Sequence, residues 1–246
     1  MKLLLTSNGI ANPSIHGALV DLLGKPIAEA NALMIVTGMY PFVGGLGYAW
    51  KAIAGKSRNS LVELGWKSFG NLELSVLPSL DKEVWQPAVA EADAILVWGG
   101  DPLFLAYWMR ESGVASAIAP NAVYVGTSAG SMAACTIIGE TYREPRRARG
   151  ETLSSQQVVF PDGDFATTFV TGRGMGWVDF AIIPHYRANG HLDASETNAS
   201  AWAAKLPVPV YALDDDSAIK VTDRGTEVVS EGQWKLFTPA TSPASR

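Results

Sequence analysis

Short apolar runs alternate with longer, helically spaced stretches through the first half of the chain. "KLLLT", "ALMIVTG", "LELSVL", "AILVWGG" and "AVYVGT" have the length and β-branched content of strands buried on both faces. Between them, "PSIHGALVDLLG" and "DKEVWQPAVAEAD" carry apolar residues at helical spacing. The alternation predicts βαβ units, an α/β fold with a parallel sheet and helices on both faces. Ligands of such sheets bind at the carboxyl ends of the strands, which is where "GGDP" and "GTSAG" fall.

Smaller signals refine this pattern. Asp101 and Pro102 read as N-cap and first position of a helix. "DASE", Asp193 to Glu196, reads as a capping box. The last third, "VPVYALDDDSAIKVTDRGTEVVSEGQWKLF", predicts a β-rich C-terminal part with a turn near Asp223–Gly225. Two stretches fit no period. "GMYPFVGGLGYAW" (38–50) reads as a loop beside the site, and 142–177 as mostly irregular with one or two short strands. With neither a repeat nor a linker in view, residues 1–237 read as one domain, and 238–246 as a frayed polar tail.

Composition narrows the function. The chain has 246 residues, 48% of them hydrophobic and 17% charged, which describes a globular protein. A net charge of -5 argues against nucleic acid as a partner. The one cysteine, Cys135, excludes an internal disulfide framework and fits a reducing compartment. The N-terminal "MKLLLTSNG" is too short in its apolar part for a signal peptide, and no apolar run approaches a membrane span. The expectation is a cytoplasmic protein without membrane partners.

"GTSAG" fits the G-x-S-x-G nucleophile elbow, with strand before and small-residue helix after. Its serine, Ser128, would project above the sheet, with the Ala129 amide where an oxyanion forms. The plain alternative is a glycine-softened turn. A serine nucleophile needs a base, and the chain has three histidines. His16 lies within a helical stretch. His191 precedes a helix start and reads as a polar loop residue, with substrate contact as the alternative. His185 follows the apolar "DFAIIP", a strand end on the elbow's side of a parallel sheet, and is the candidate base. Its acidic partner comes from Asp214, Asp215 or Asp216, and sequence alone does not choose among them. A calcium- or magnesium-type site at these carboxylates lacks supporting ligands.

The order serine, histidine, acid departs from that of α/β-hydrolases. "GTSAGS", "IIPHY", "YALDDDSAI", "LLLTSNG" and "VWGGDPLFL", in that arrangement, resemble the peptidase E (aspartyl dipeptidase) family of serine peptidases, with cyanophycinase a more distant relative. The resemblance runs from the first strand to about Val221. It implies a three-layer α/β/α sandwich with a mostly parallel central sheet, related to class I glutamine amidotransferases.

The resemblance also implies Ser128 as nucleophile, His185 as base, Asp215 as acid, and Gly100 and Ala129 as oxyanion donors. Gly99, Asn198 and Tyr186 are expected to face the substrate, a short peptide. No cofactor or metal is called for, and the assembly expected is a monomer or homodimer. Family members carry an arginine for the substrate's acidic side chain where this chain has Asn198, so a preference for N-terminal aspartate is not implied here. The segment holding Arg143, Arg146, Arg147 and Arg149 reads as a solvated basic loop, with binding of an acidic substrate as the alternative. Alternatives for the whole chain are a serine hydrolase acting on an ester, amide or isopeptide, and a non-catalytic binding member of the same fold.

Overall fold

The computed structural model describes residues 1–144, 146 and 148–239. Arg147 and the tail from 240 onward therefore lie outside the described residues.

Five strands of the first half form the parallel core of a sheet: β1 (Lys2–Thr6), β2 (Asn31–Ile35), β3 (Ser68–Asn71), β4 (Ala94–Val97) and β5 (Val123–Thr127). Three further strands, β6 (Ile137–Tyr142), β7 (Ser154–Phe160) and β8 (Phe165–Arg173), make a separate antiparallel sheet. Next come β9 (Ala181–Ile183), β10 (Val210–Leu213), β11 (Ser217–Thr222), β12 (Gly225–Ser230) and β13 (Trp234–Phe237). The main sheet has the order β12-β11-β1-β5-β4-β2-β3, with β11 and β12 antiparallel at one edge. A third sheet, β13-β10-β9, pairs β9 and β10 in parallel.

Alternation along the central strands separates two cores. Leu3, Leu5, Ile95, Val97 and Tyr124 face one cluster, while Leu4, Ala94, Leu96, Val123 and Val125 face the other. This is the two-residue period of a strand covered on both faces. Helices α1 (Pro13–Leu23) and α2 (Gly45–Ile53) bury Ile15, Leu19, Leu22, Ala49 and Ala52 in the second cluster. The first cluster takes α3 (Lys82–Ala90), α4 (Pro102–Glu111), α5 (Ala129–Ala134) and α6 (Glu196–Ala203). The α/β/α layering is as the pattern predicts, with the two small sheets added to one outer layer. None of these helices is long and apolar enough to cross a membrane.

Local chemistry sets the helix ends. Asn12 caps α1, accepting from the Ile15 amide at 3.0 Å, and Asp101 caps α4 through the Phe104 amide at 2.8 Å, with Pro102 as the first helical residue. At α6 the cap is Ser195, bonded to the Asn198 amide, and not Asp193, whose carboxylate binds the Thr141 hydroxyl at 3.0 Å instead.

Two other expectations are corrected. "LELSVL" is a 3-10 helix, Leu74–Ser79, and the strand lies before it at Ser68–Asn71. Buried Leu74 and Leu77 are three apart, a helical interval, and Glu73 turns the chain by binding Ser75's amide and hydroxyl. The 38–50 stretch is a loop only in part, since α2 begins at Gly45. The 142–177 stretch holds two strands, β7 and β8, which cover 16 of its 36 positions. They form a hairpin in which exposed Gln157 stands opposite Thr168, while Phe169 is buried against Trp202 of α6.

Candidate active site

The site begins where β5 ends. Ser128 has φ 50° and ψ -114°, a left-handed backbone that a non-glycine residue adopts at a cost of about 1–3 kcal/mol. Neighbours hold it there: its amide donates to Thr6's carbonyl at 3.0 Å, and Ser131's hydroxyl binds that carbonyl at 2.7 Å. The helix that follows starts tight against β4. A Cβ at Gly130 would stand 2.1 Å from Val97's carbonyl oxygen, so the second glycine of "GTSAG" is demanded by packing. The elbow lifts Ser128 Oγ to the carboxyl edge of the sheet.

His185 reaches that edge from a different sheet than expected. It follows β9, which pairs with β10 and not with β5. Because β9 and β10 run parallel, the loops after them, carrying His185 and Asp215, leave on one side and meet. His185 Nε2 lies 3.0 Å from Ser128 Oγ and its Nδ1 2.7 Å from Asp215 Oδ1. In the tautomer protonated at Nδ1, His185 donates to Asp215 and accepts from the serine hydroxyl. The bond to His185 holds the Asp215 carboxyl below its ordinary value, against the opposing effect of burial.

The neighbouring aspartates have other tasks. Asp214 accepts from Ser217's hydroxyl and the amides of Asp216 and Gln233, so it builds the turn. Asp216 offers its carbonyl to Asn12.

One residue at the site, Ser7, escaped sequence reasoning, and His191 takes a place that reasoning left open. Ser7, fully buried just past β1, accepts His185's amide at 2.7 Å and directs its hydroxyl to Asp215 at 3.5 Å. It helps hold His185 at φ 57°. Its position at the carboxyl end of the strand beside β5 was the available signal. His191 stacks on His185, ring centroids 4.2 Å apart and planes 22° apart. Burial, and then the adjacent imidazole, lower its pKa, which favours its neutral form beside His185. His16 lies exposed on α1.

Gly100 and Ala129 supply backbone at the same edge. Gly100 has φ 125°, and a Cβ there would fall 2.1 Å from Gly38's carbonyl oxygen, so only glycine fits. Among the described residues neither the Gly100 amide nor the Ala129 amide has an acceptor, which leaves both free for an oxyanion. Gly99 packs beside the serine: a Cβ there would lie 3.4 Å from Ser128 Cβ.

Ser128, His185, His191 and Gly100 line a cavity of about 350 Å³ with Met39, Phe42, Glu140, Thr141, Asp193 and Trp202 among its other walls. That is near the lower end of the usual size for a ligand site. Larger hollows on the surface, such as the one at Asp223–Glu227, hold none of these groups.

Asn198 and Tyr186 are not among the residues lining it. Asn198 is fully buried, accepting from Asp162's amide and donating to the carbonyls of Asp162 and Leu192. It clips α6 to the loop ahead of it and has no group left for substrate. Tyr186 is 3% exposed and packs in the core. The basic loop is likewise corrected at Arg146, whose guanidinium is largely buried over the Tyr142 ring and pairs with Asp101 at 3.5 Å. Cys135 is fully buried and burial drives its thiol far above the ordinary range, so it is no nucleophile.

The family model of Peptidase family S51 matches residues 3–229. The chain belongs to family S51. It is a serine-type peptidase, peptidase E-like, with the elbow serine inside the matched span. Among solved structures, the S51 chain is similar to a "Putative Peptidase E Protein from Listeria monocytogenes EGD-e", at 16% identity and TM-score 0.59, covering 94% of this chain and 98% of that one. It is also similar to a peptidase from an acI-B1 Actinobacterium, at 18% identity and TM-score 0.57, covering 97% and 94%. At such identities the likeness speaks for the fold. Among curated proteins nothing matches the S51 chain.

Proposed function

We propose that this S51 peptidase hydrolyses short peptides, dipeptides among them, through an acyl-enzyme on Ser128, with His185 as general base and Asp215 as its acidic partner. The observation that carries this reading is the unbroken hydrogen-bonded line Ser128–His185–Asp215, at 3.0 and 2.7 Å, opening into a small cavity.

The steps follow from the geometry. Ser128 Oγ bonds to the scissile carbonyl carbon while its proton moves to His185 Nε2. Negative charge gathers on the carbonyl oxygen, where the amides of Gly100 and Ala129 receive it. Collapse of the tetrahedral species breaks the C–N bond, and His185 returns the proton to the leaving amine. Water then attacks the ester and gives a proton to His185, which passes it to Ser128 Oγ as the acid departs. Asp215 remains ionised and stabilises the imidazolium through Nδ1. No step calls on a cofactor.

Hydrolysis of a dipeptide panel, with p-nitrophenyl esters alongside, tests this reading. Ser128→Ala is expected to lower kcat by at least about 10⁴-fold on every cleaved substrate. Peptide hydrolysis at the wild-type rate by that variant rules the reading out.

A further inference from the structure

The cavity holds more charge than these steps use. Its lining includes three carboxyl groups, Asp101, Glu140 and Asp193, and no lysine or arginine among the described residues. Asp101 is fully engaged: Oδ1 caps α4 through Phe104, and Oδ2 accepts from Tyr142's hydroxyl at 3.1 Å and faces Arg146 at 3.5 Å. The other two are only half engaged. Glu140 Oε1 accepts the Thr141 amide at 2.7 Å and Asp193 Oδ2 the Thr141 hydroxyl at 3.0 Å. Among the described residues, Glu140 Oε2 and Asp193 Oδ1 have no hydrogen-bond donor, and neither residue has an ion-pair partner.

Glu140 has an oxygen left over for a ligand atom. Its carboxyl is surrounded by protein, although the residue keeps some exposure toward the cavity. Burial foremost, with Asp193 and Asp101 adding to it and Arg146 and the Thr141 amide opposing, pushes its pKa up to about 8.

We propose that Glu140 and Asp193 bind a positively charged side chain on the residue that supplies the scissile carbonyl. Peptides cationic at that residue are then preferred over peptides acidic there. The inference rests on the Ser128 cavity being the peptide site. It turns on charge sign: where an arginine for an acidic side chain was implied by resemblance, this chain has a buried asparagine, and the carboxylates facing the cavity select the opposite charge. Bringing a cation to Glu140 favours its ionised form, so binding releases a proton when it occurs below pH 8.

Titration calorimetry on the full-length Ser128→Ala protein tests this without requiring turnover, so its result is separate from whether Ser128 forms an acyl-enzyme. The probes are lysinamide, N-acetyl-lysinamide, norleucinamide and aspartic acid 1-amide. Lysinamide is expected to bind at least about tenfold tighter than aspartic acid 1-amide. Adding Glu140→Gln is expected to weaken lysinamide about 10- to 100-fold, the range of a charge-assisted hydrogen bond. Asp193→Asn serves as the second variant. The loss is expected for N-acetyl-lysinamide and not for norleucinamide; a loss shared with norleucinamide and absent for N-acetyl-lysinamide overturns the proposal. The proposal is overturned if aspartic acid 1-amide binds as tightly as lysinamide, if no cation binds, or if both carboxamide variants leave lysinamide affinity unchanged.

Discussion

Ser128 and His185 share an unusual property: both occupy positive-φ backbone, at 50° and 57°, and both are held there by hydrogen bonds to the end of β1 and the residue just past it. Ser128's amide binds Thr6 and His185's amide binds Ser7. Two strained residues are thus fixed by one neighbouring segment, and the 3.0 Å serine–histidine approach follows. In the proposed mechanism Asp215 sets the imidazole tautomer. Asp215→Asn keeps the shape of the contact but favours the wrong tautomer, so kcat is expected to fall on the order of 10³- to 10⁴-fold, with KM little changed. Steady-state kinetics on any cleaved dipeptide checks this. At this scale the sequence was informative where identity signals chemistry: a serine between glycines, a histidine after an apolar strand, acids after another. It was silent about Ser7 and did not foresee the stacking of His191 on His185. A small hydroxyl after a strand and a histidine in a polar loop are common, and only the tertiary approach to His185 gives them a role.

Elements explain why some of the chain was readable and some was not. The strands of the main sheet are covered on both faces, so β1, β4 and β5 announce themselves as apolar runs. β7 does not, because nearly all of its residues are exposed and polar ones interrupt any apolar run. Distance along the chain hid the sheet that carries His185: β9 and β10 pair across α6, and three-residue β9 offers no period to read. Loop geometry also carries function at this scale. The amide of Gly100 is placed by a turn packed on Gly38, with no room for a Cβ. Gly100→Ala is therefore expected to displace one of the two proposed oxyanion donors and reduce kcat about 10²- to 10³-fold. Fluorophosphonate-free kinetics alone would not separate this from unfolding, so the measurement pairs kcat with a thermal melt. A loss of activity that exceeds the loss of folded protein is the expected outcome.

For the whole molecule, the carboxyl groups of the site make stability depend on pH in two opposed ways. Asp215 is held below its ordinary value in the fold, so its contribution is present above the unfolded-state pKa near 4 and is lost as pH falls through the lower folded value. Glu140 is raised, from 4.5 to about 8. Between those values the folded chain retains a proton that the unfolded chain has released, so stability falls as pH rises across that window, with a slope of at most about 1.4 kcal/mol per pH unit. Glu140→Gln is expected to flatten the decline between pH 5 and 8, as read from denaturant midpoints across that range. An unaltered pH slope in the variant would mean that Glu140 does not carry this linkage. The layered architecture was legible in advance because it depends on the periods of individual strands. The convergence of three sheets' loops over one edge, which builds the site, was legible only through its landmarks in order along the chain.

Covalent labelling tests the central claim most directly. The wild-type protein is treated with a fluorophosphonate, its intact mass is measured, and the adduct is located by peptide mapping, alongside the loss of peptide hydrolysis. The account predicts one adduct per chain, on Ser128, formed in step with the loss of activity and abolished by His185→Ala. A protein that loses activity with the label on another serine, or keeps full activity with Ser128 labelled, contradicts it.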